Sequence, residues 1–110
     1  MKLLLIEDDK PSLKALEATL KMLGFDSEAF SDPEEAVTRF QSGNDFDVVI
    51  TDLRMPKLSG IEVLNKIRIM DSVIPVIIIT AHRDHAQLNA DLVFYKPVDI
   101  NALVKYLKQL

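Results

Sequence analysis

Three short runs of aliphatic residues, each stopping at a polar group, constrain this chain more than anything else in it. Leu3-Leu4-Leu5-Ile6 runs into Glu7-Asp8-Asp9, Val48-Val49-Ile50 into Thr51-Asp52, and Val76-Ile77-Ile78-Ile79 into Thr80-Ala81. A strand that is apolar at every position, rather than at alternate ones, has both faces covered, which is the mark of a parallel sheet sandwiched between helices. All the strand ends then lie on one edge of the sheet, where α/β proteins bind ligands. Glu7, Asp8, Asp52 and Thr80 should therefore converge. A weaker strand, Leu92-Val93-Phe94-Tyr95, brings Lys96 to the same edge, immediately before Pro97.

Between these runs the spacing is helical. Lys10 to Leu23 carries Leu13, Leu16, Leu20 and Leu23 on one face and stops at Gly24, a C-cap signal. Phe25 to Phe30 reads as a short edge strand. Ser31-Asp32-Pro33-Glu34-Glu35 combines an N-cap, a proline suited to the first turn and early acids, so a second helix is expected from Pro33 to Ser42. Pro56 and Gly60 bracket a loop leading to a third helix with Ile61, Leu64 and Ile67 inward. A polar segment spans Ala81 to Ala90, and a last helix, capped by Asp99, carries Leu103, Tyr106, Leu107 and Leu110. Asp9 is placed as a charge at the start of the first helix. Alternation of strands and helices with right-handed crossovers, and an edge-like second strand, predicts a five-stranded parallel sheet in order 2-1-3-4-5 with helices on both faces.

The chain has 110 residues, 48% of them hydrophobic and 27% charged, with a net charge of −4 and no cysteine. One domain over residues 1–110 is expected. The modest acidity and the lack of a basic stripe argue against direct nucleic acid binding. The absence of cysteine excludes disulfide and thiol chemistry. No stretch reads as a signal-peptide core or membrane span, so a cytoplasmic location is expected. The only glycines, Gly24, Gly43 and Gly60, form no dinucleotide-binding turn.

Clustered carboxylates repel: at ~4 Å and an effective dielectric near 20, each pair costs about 4 kcal/mol. A hard divalent cation relieves this, and Mg²⁺ completes its shell readily with phosphate oxygens. Lys96 and the Thr80 hydroxyl supply donors for further phosphoryl oxygens. Such a site has the parts for phosphoryl transfer, which needs positioning and charge neutralisation more than a reactive base.

Taken together in this order, Glu7-Asp8, Asp52 with Met55-Pro56 and Gly60, Thr80-Ala81 and Lys96-Pro97 resemble the receiver domains of two-component response regulators, and the resemblance covers essentially the whole chain. It implies a flavodoxin-like doubly wound fold in which Asp52 accepts a phosphoryl group from a phosphohistidine on a sensor histidine kinase or phosphotransfer protein. It further implies that Asp8, Asp52 and the backbone carbonyl of Arg54 ligate Mg²⁺ (or Mn²⁺), with Glu7 acting through water. Thr80, the Ala81 N–H and Lys96 would contact the phosphoryl oxygens. Arg54 and His82 would flank the path of attacking water and tune the lifetime of the phosphorylated form. The Lys96–Pro97 bond is expected to be cis, and an output domain or downstream protein is the expected recipient of the signal.

The chain departs from that family at two points. The aromatic residue usually found three positions before the lysine is Val93 here, although Tyr95 shares its side of the strand. The segment from Thr80 to Lys96 is short, so the fourth helix of the family should be cut to a turn or two or replaced by a loop. Both points predict a domain that stays monomeric on phosphorylation. Two other functions compete. A Mg²⁺-dependent phosphohydrolase with an aspartyl nucleophile would commonly carry an acid where Arg54 stands, and would need a substrate cap. A receiver-like module that binds partners without phosphorylation would tend to lose the site. His82 and His85 could suggest a metal pair but are read as solvated loop residues.

Overall fold

The computed structural model describes residues 1–43, 45–81, 90 and 92–110. In chain order the elements are β1 (Lys2–Ile6), α1 (Lys10–Met22), β2 (Asp26–Phe30), α2 (Pro33–Gln41), β3 (Val48–Asp52), α3 (Gly60–Met70), β4 (Val76–Thr80), β5 (Leu92–Tyr95) and α4 (Ile100–Lys108). All strand pairs are parallel, and the sheet order is β2-β1-β3-β4-β5. This is the doubly wound, flavodoxin-like architecture that the sequence predicts. The segment between β4 and β5, expected to be a shortened helix or a loop, falls mostly on residues 82–89 and 91, outside the described residues, as do His82 and His85.

The continuous apolar runs are explained by two cores, one on each face of the sheet. Leu4, Ile6, Val49, Val76 and Ile78 pack against Ala36, Val37 and Phe40 of α2 and Val63, Leu64 and Ile67 of α3. Their neighbours Leu3, Leu5, Val48, Ile50, Ile77 and Ile79 point the other way, onto Leu13 and Leu20 of α1 and Leu103 and Leu107 of α4. Each such side chain contributes about 1.5–3 kcal/mol by leaving water, so both halves of the period-two alternation support the central strands.

The helix ends follow from local chemistry. Asp9 caps α1, its carboxylate accepting from the Ser12 N–H at 3.1 Å, so its role is capping as well as charge. Gly24 takes φ +92° just beyond α1, and the pair of bonds from Gly24 N–H to Lys21 O and from Phe25 N–H to Leu20 O closes the helix as a Schellman motif. Phe25 is buried but precedes β2, which begins at Asp26 rather than at Phe25. Asp32 caps α2, Asp99 caps α4, and Ser59 with Glu62 forms a capping box at the start of α3. Three expected inward residues are not inward. Ile61 is 40% exposed because α3 begins at Gly60 and buries positions 60, 63, 64 and 67, which makes Val63 the core residue. Leu23 lies at the C-cap and Leu110 beyond the end of α4, and both are exposed.

Candidate phosphoryl-transfer site

The shape of the site is set by three strand ends. Parallel register puts Ile6 beside Thr51 and Asp52 beside Ile79, so Glu7, Asp52 and Thr80 leave the sheet at nearly the same level. The backbone of Glu7 is pinned by its N–H donating to Phe30 O at 3.1 Å. Gly60 lets α3 start directly against β3: its N–H donates to Leu53 O at 2.7 Å, and a Cβ there would stand 2.3 Å from Asp52 O. No residue but glycine fits that approach without displacing the backbone of Asp52.

The side chains of Glu7, Asp8 and Asp52 offer carboxylate oxygens that all lie within 4.8 Å of one another. Lys96 reaches in from the end of β5, its Nζ donating to Glu7 Oε1 at 2.8 Å and to Asp52 Oδ2 at 3.2 Å. The remaining Asp52 oxygen, Oδ1, accepts from the Leu53 N–H at 2.8 Å. Asp8 is exposed, whereas Glu7 is buried and its Oε2 has no hydrogen-bond partner among the described residues.

Desolvation of Glu7, reinforced by the nearby Asp52 carboxyl and only partly offset by Lys96, pushes its pKa up to about 7. A proton on Glu7 is one way to relieve two adjoining carboxyls, and a bound cation is the other. For Lys96, burial works against the charged form, but the bond to Glu7 and the field of Asp52 outweigh it and raise its pKa. An orphaned buried carboxylate oxygen and three convergent acids are the donor set a hard divalent cation takes. The residues fit Mg²⁺.

The other expected residues are placed as follows. Thr80 ends β4 and is fully buried, and Lys96 N–H donates to its carbonyl at 2.9 Å, which ties the two strand ends together through the backbone. Ala81 follows it, exposed, and Arg54 is exposed on the loop between β3 and α3. The Lys96–Pro97 peptide is cis. A cavity of about 310 Å³ opens beside the acids, with Leu13 and Leu16 of α1 and Val98 on its apolar side and Glu7, Asp52 and Lys96 on its polar side. The apolar wall was not legible as part of a site, because Leu13 and Leu16 read as ordinary core positions. Lys57, on the loop between β3 and α3, is held to Asp32 by an ion pair of 2.8 Å that no local sequence pattern marks.

The fold is that of the doubly wound α/β class, with three acids, a lysine and a cis-proline gathered at the carboxyl edge of its parallel sheet. The family model of the response regulator receiver domain matches residues 3–108. The chain belongs to the response regulator receiver family. It is 40% identical over 102 residues to a probable transcriptional regulator, ycf27, of Guillardia theta, covering 87% of this chain and 39% of that protein. The receiver domain protein of Clostridium thermocellum superposes with a TM-score of 0.90 at 30% identity, covering 98% of this chain and 91% of that one. The response regulator TrrA of Thermotoga maritima, solved in complex with Mg²⁺ and BeF, gives 0.88 at 29% identity over 98% and 96% of the two chains, and a structure of TrrA with the histidine kinase ThkA gives 0.86 at 28% identity, with the same coverages. The chain spans less than half the length of the curated relatives it matches, from 17% to 49%. No helix among the described residues is long and apolar enough to cross a membrane.

Proposed function

We propose that residues 1–110 act as one receiver domain whose Asp52 accepts a phosphoryl group from a phosphohistidine in a Mg²⁺-dependent reaction. The observation that carries this is the meeting of Glu7, Asp8 and Asp52 within 4.8 Å, with Lys96 bonded to two of them and a buried Glu7 oxygen left over. Asp8, Asp52 and the carbonyl of Arg54 would hold the metal, with Glu7 engaging it through water. When bound, the cation neutralises charge on the acids and on the transferred group. An oxygen of Asp52 attacks phosphorus as the bond to the histidine nitrogen breaks, and the nitrogen keeps the electron pair. Lys96 then gives up its bond to Asp52 and donates to a phosphoryl oxygen, joined by the Thr80 hydroxyl and the Ala81 N–H. This redistribution needs no general base, because the carboxylate is already the nucleophile.

The donor is inferred to be a histidine kinase or phosphotransfer protein, by analogy with the complex of TrrA with ThkA. A transcriptional output is supported by the regulators among the relatives, and a cytoplasmic location accords with such partners. Incubation with acetyl phosphate and Mg²⁺ should add one phosphoryl mass to the intact protein, and Asp52→Asn should take none. Labelling of Asp52→Asn to the wild-type extent would overturn the assignment.

A further inference from the structure

The loop from Asp52 to Gly60 closes on itself where Gly60 N–H donates to Leu53 O, Met55 and Leu58 pack onto the core, and Lys57 reaches from its middle to the start of α2. Lys57 has φ +70°, the one non-glycine residue with positive φ among those described. Leu58 N–H donates back to Pro56 O at 2.8 Å, so Lys57 is the centre of a γ-turn in its rare positive-φ form, where a Cβ is crowded. Glycine would adopt this turn with less strain. What lysine adds is reach: its Nζ lies 2.8 Å from Asp32 Oδ2 and 3.8 Å from Glu34 Oε1.

An exposed ion pair is by itself a weak contact. This one differs in that its acid and the backbone of its lysine are already held. Asp32 is held by capping α2, its Oδ1 accepting from Glu34 N–H at 2.9 Å. Lys57 sits between Met55 and Leu58, which both pack onto the core under α2 and α3. Little side-chain freedom remains to be lost at the acid. The pair therefore spans from the junction of β2 and α2 to the middle of the loop that carries Arg54.

We infer that Lys57, through Asp32, is a positioning residue for the acidic site: the pair stakes the loop after Asp52 against α2, and so sets divalent-ion affinity and the rate at which Asp52 is phosphorylated. This rests on the phosphoacceptor reading above. A contact that served stability alone would behave differently from one that positions the loop, and Lys57→Gly separates the two. Removing the lysine relieves the turn, so this variant should resist urea as well as the wild type or better. It should nevertheless bind Mg²⁺ about two- to fivefold more weakly, the range open to an exposed pair.

The experiment is a Mg²⁺ titration followed by the amide resonances of Leu53 and Gly60, with urea unfolding and acetyl phosphate labelling of the same proteins. Asp32→Asn, which keeps a capping oxygen but loses the charge, should match Lys57→Gly. The double variant should be no worse than the weaker single one, and Lys57→Arg should stay within about twofold of wild type. Wild-type affinity in both Lys57→Gly and Asp32→Asn, or losses that multiply in the double variant, would overturn the inference while leaving the phosphoacceptor reading intact. A wild-type protein that neither binds Mg²⁺ nor takes label would instead overturn that reading, and this inference with it.

Discussion

Glu7 is the residue on which the charge balance of the site turns. Its folded pKa of about 7 lies above the ordinary 4.5, so the folded chain keeps a proton that the unfolded chain has released. The protein therefore loses stability as pH rises from about 4.5 to about 7, and above that the deficit is complete. Glu7→Gln should remove it: in metal-free buffer at pH 8 the variant should gain about 1–2 kcal/mol after allowance for solvent screening, or several °C in melting temperature, and nothing at pH 4. Millimolar Mg²⁺ should shrink that gain, since the cation stabilises the ionised site of the wild type. Thermal melts at the two pH values check this, and an unchanged melting temperature at pH 8 would contradict it. At this scale the sequence was legible where a residue's place follows from a strand end, as with Glu7, Asp52 and Lys96. It was silent on the orphaned Glu7 oxygen and on the bond from Leu53 N–H to Asp52, because these depend on distances of tenths of an ångström. The tie between Lys57 and Asp32 joins positions 25 residues apart and leaves no local pattern.

Among the elements, the junction of β3 with α3 is the most tightly specified. The Ser59–Glu62 capping box sets where α3 starts, and the start sets which residues face inward, which is why Val63 replaces Ile61 in the core. Periodicity alone gave the helix but not its phase, since Ile61, Val63, Leu64 and Ile67 are all apolar. Strands were easier to read, because burial on both faces leaves an unbroken aliphatic run that no change of phase can alter. Gly60→Ala tests the junction directly. Its Cβ would stand 2.3 Å from Asp52 O and 2.8 Å from the Leu53 Cα, both backbone atoms that cannot swing aside. We expect a loss of about 1–3 kcal/mol or more in urea unfolding, together with slower labelling of Asp52, whose backbone must shift to admit the methyl group. Wild-type stability in this variant would show that α3 can start elsewhere.

For the molecule as a whole, the question is how a change at the acidic edge reaches a partner. The family resemblance implies a lever made of a threonine and an aromatic residue, but the lever position here is Val93, half-buried against the core of the α2 and α3 face. Valine is β-branched and stiff at χ1, and it is too short to swing between an inward and an outward position. Tyr95 lies on the same side of β5, but its Cα pairs with Thr80 whereas that of Val93 pairs with Ile78, two residues further into the sheet, so it is not in the lever's place. Phosphorylation would therefore be felt most directly where the site's own parts move: the start of α1, the loop after Asp52 and, through Lys57 and Asp32, the start of α2. A population shift needs a ligand that binds one state better than the other, and with valine in the lever position the β5 and α4 face would have less to change on phosphorylation. The chain should stay monomeric when loaded with Mg²⁺ and beryllofluoride, a phosphoryl mimic. Sedimentation velocity at micromolar concentration decides this. An unchanged sedimentation coefficient is the expected result, whereas a shift to dimer that is lost in Lys105→Glu, on the exposed side of α4, would show that the β5 and α4 face responds without its aromatic lever.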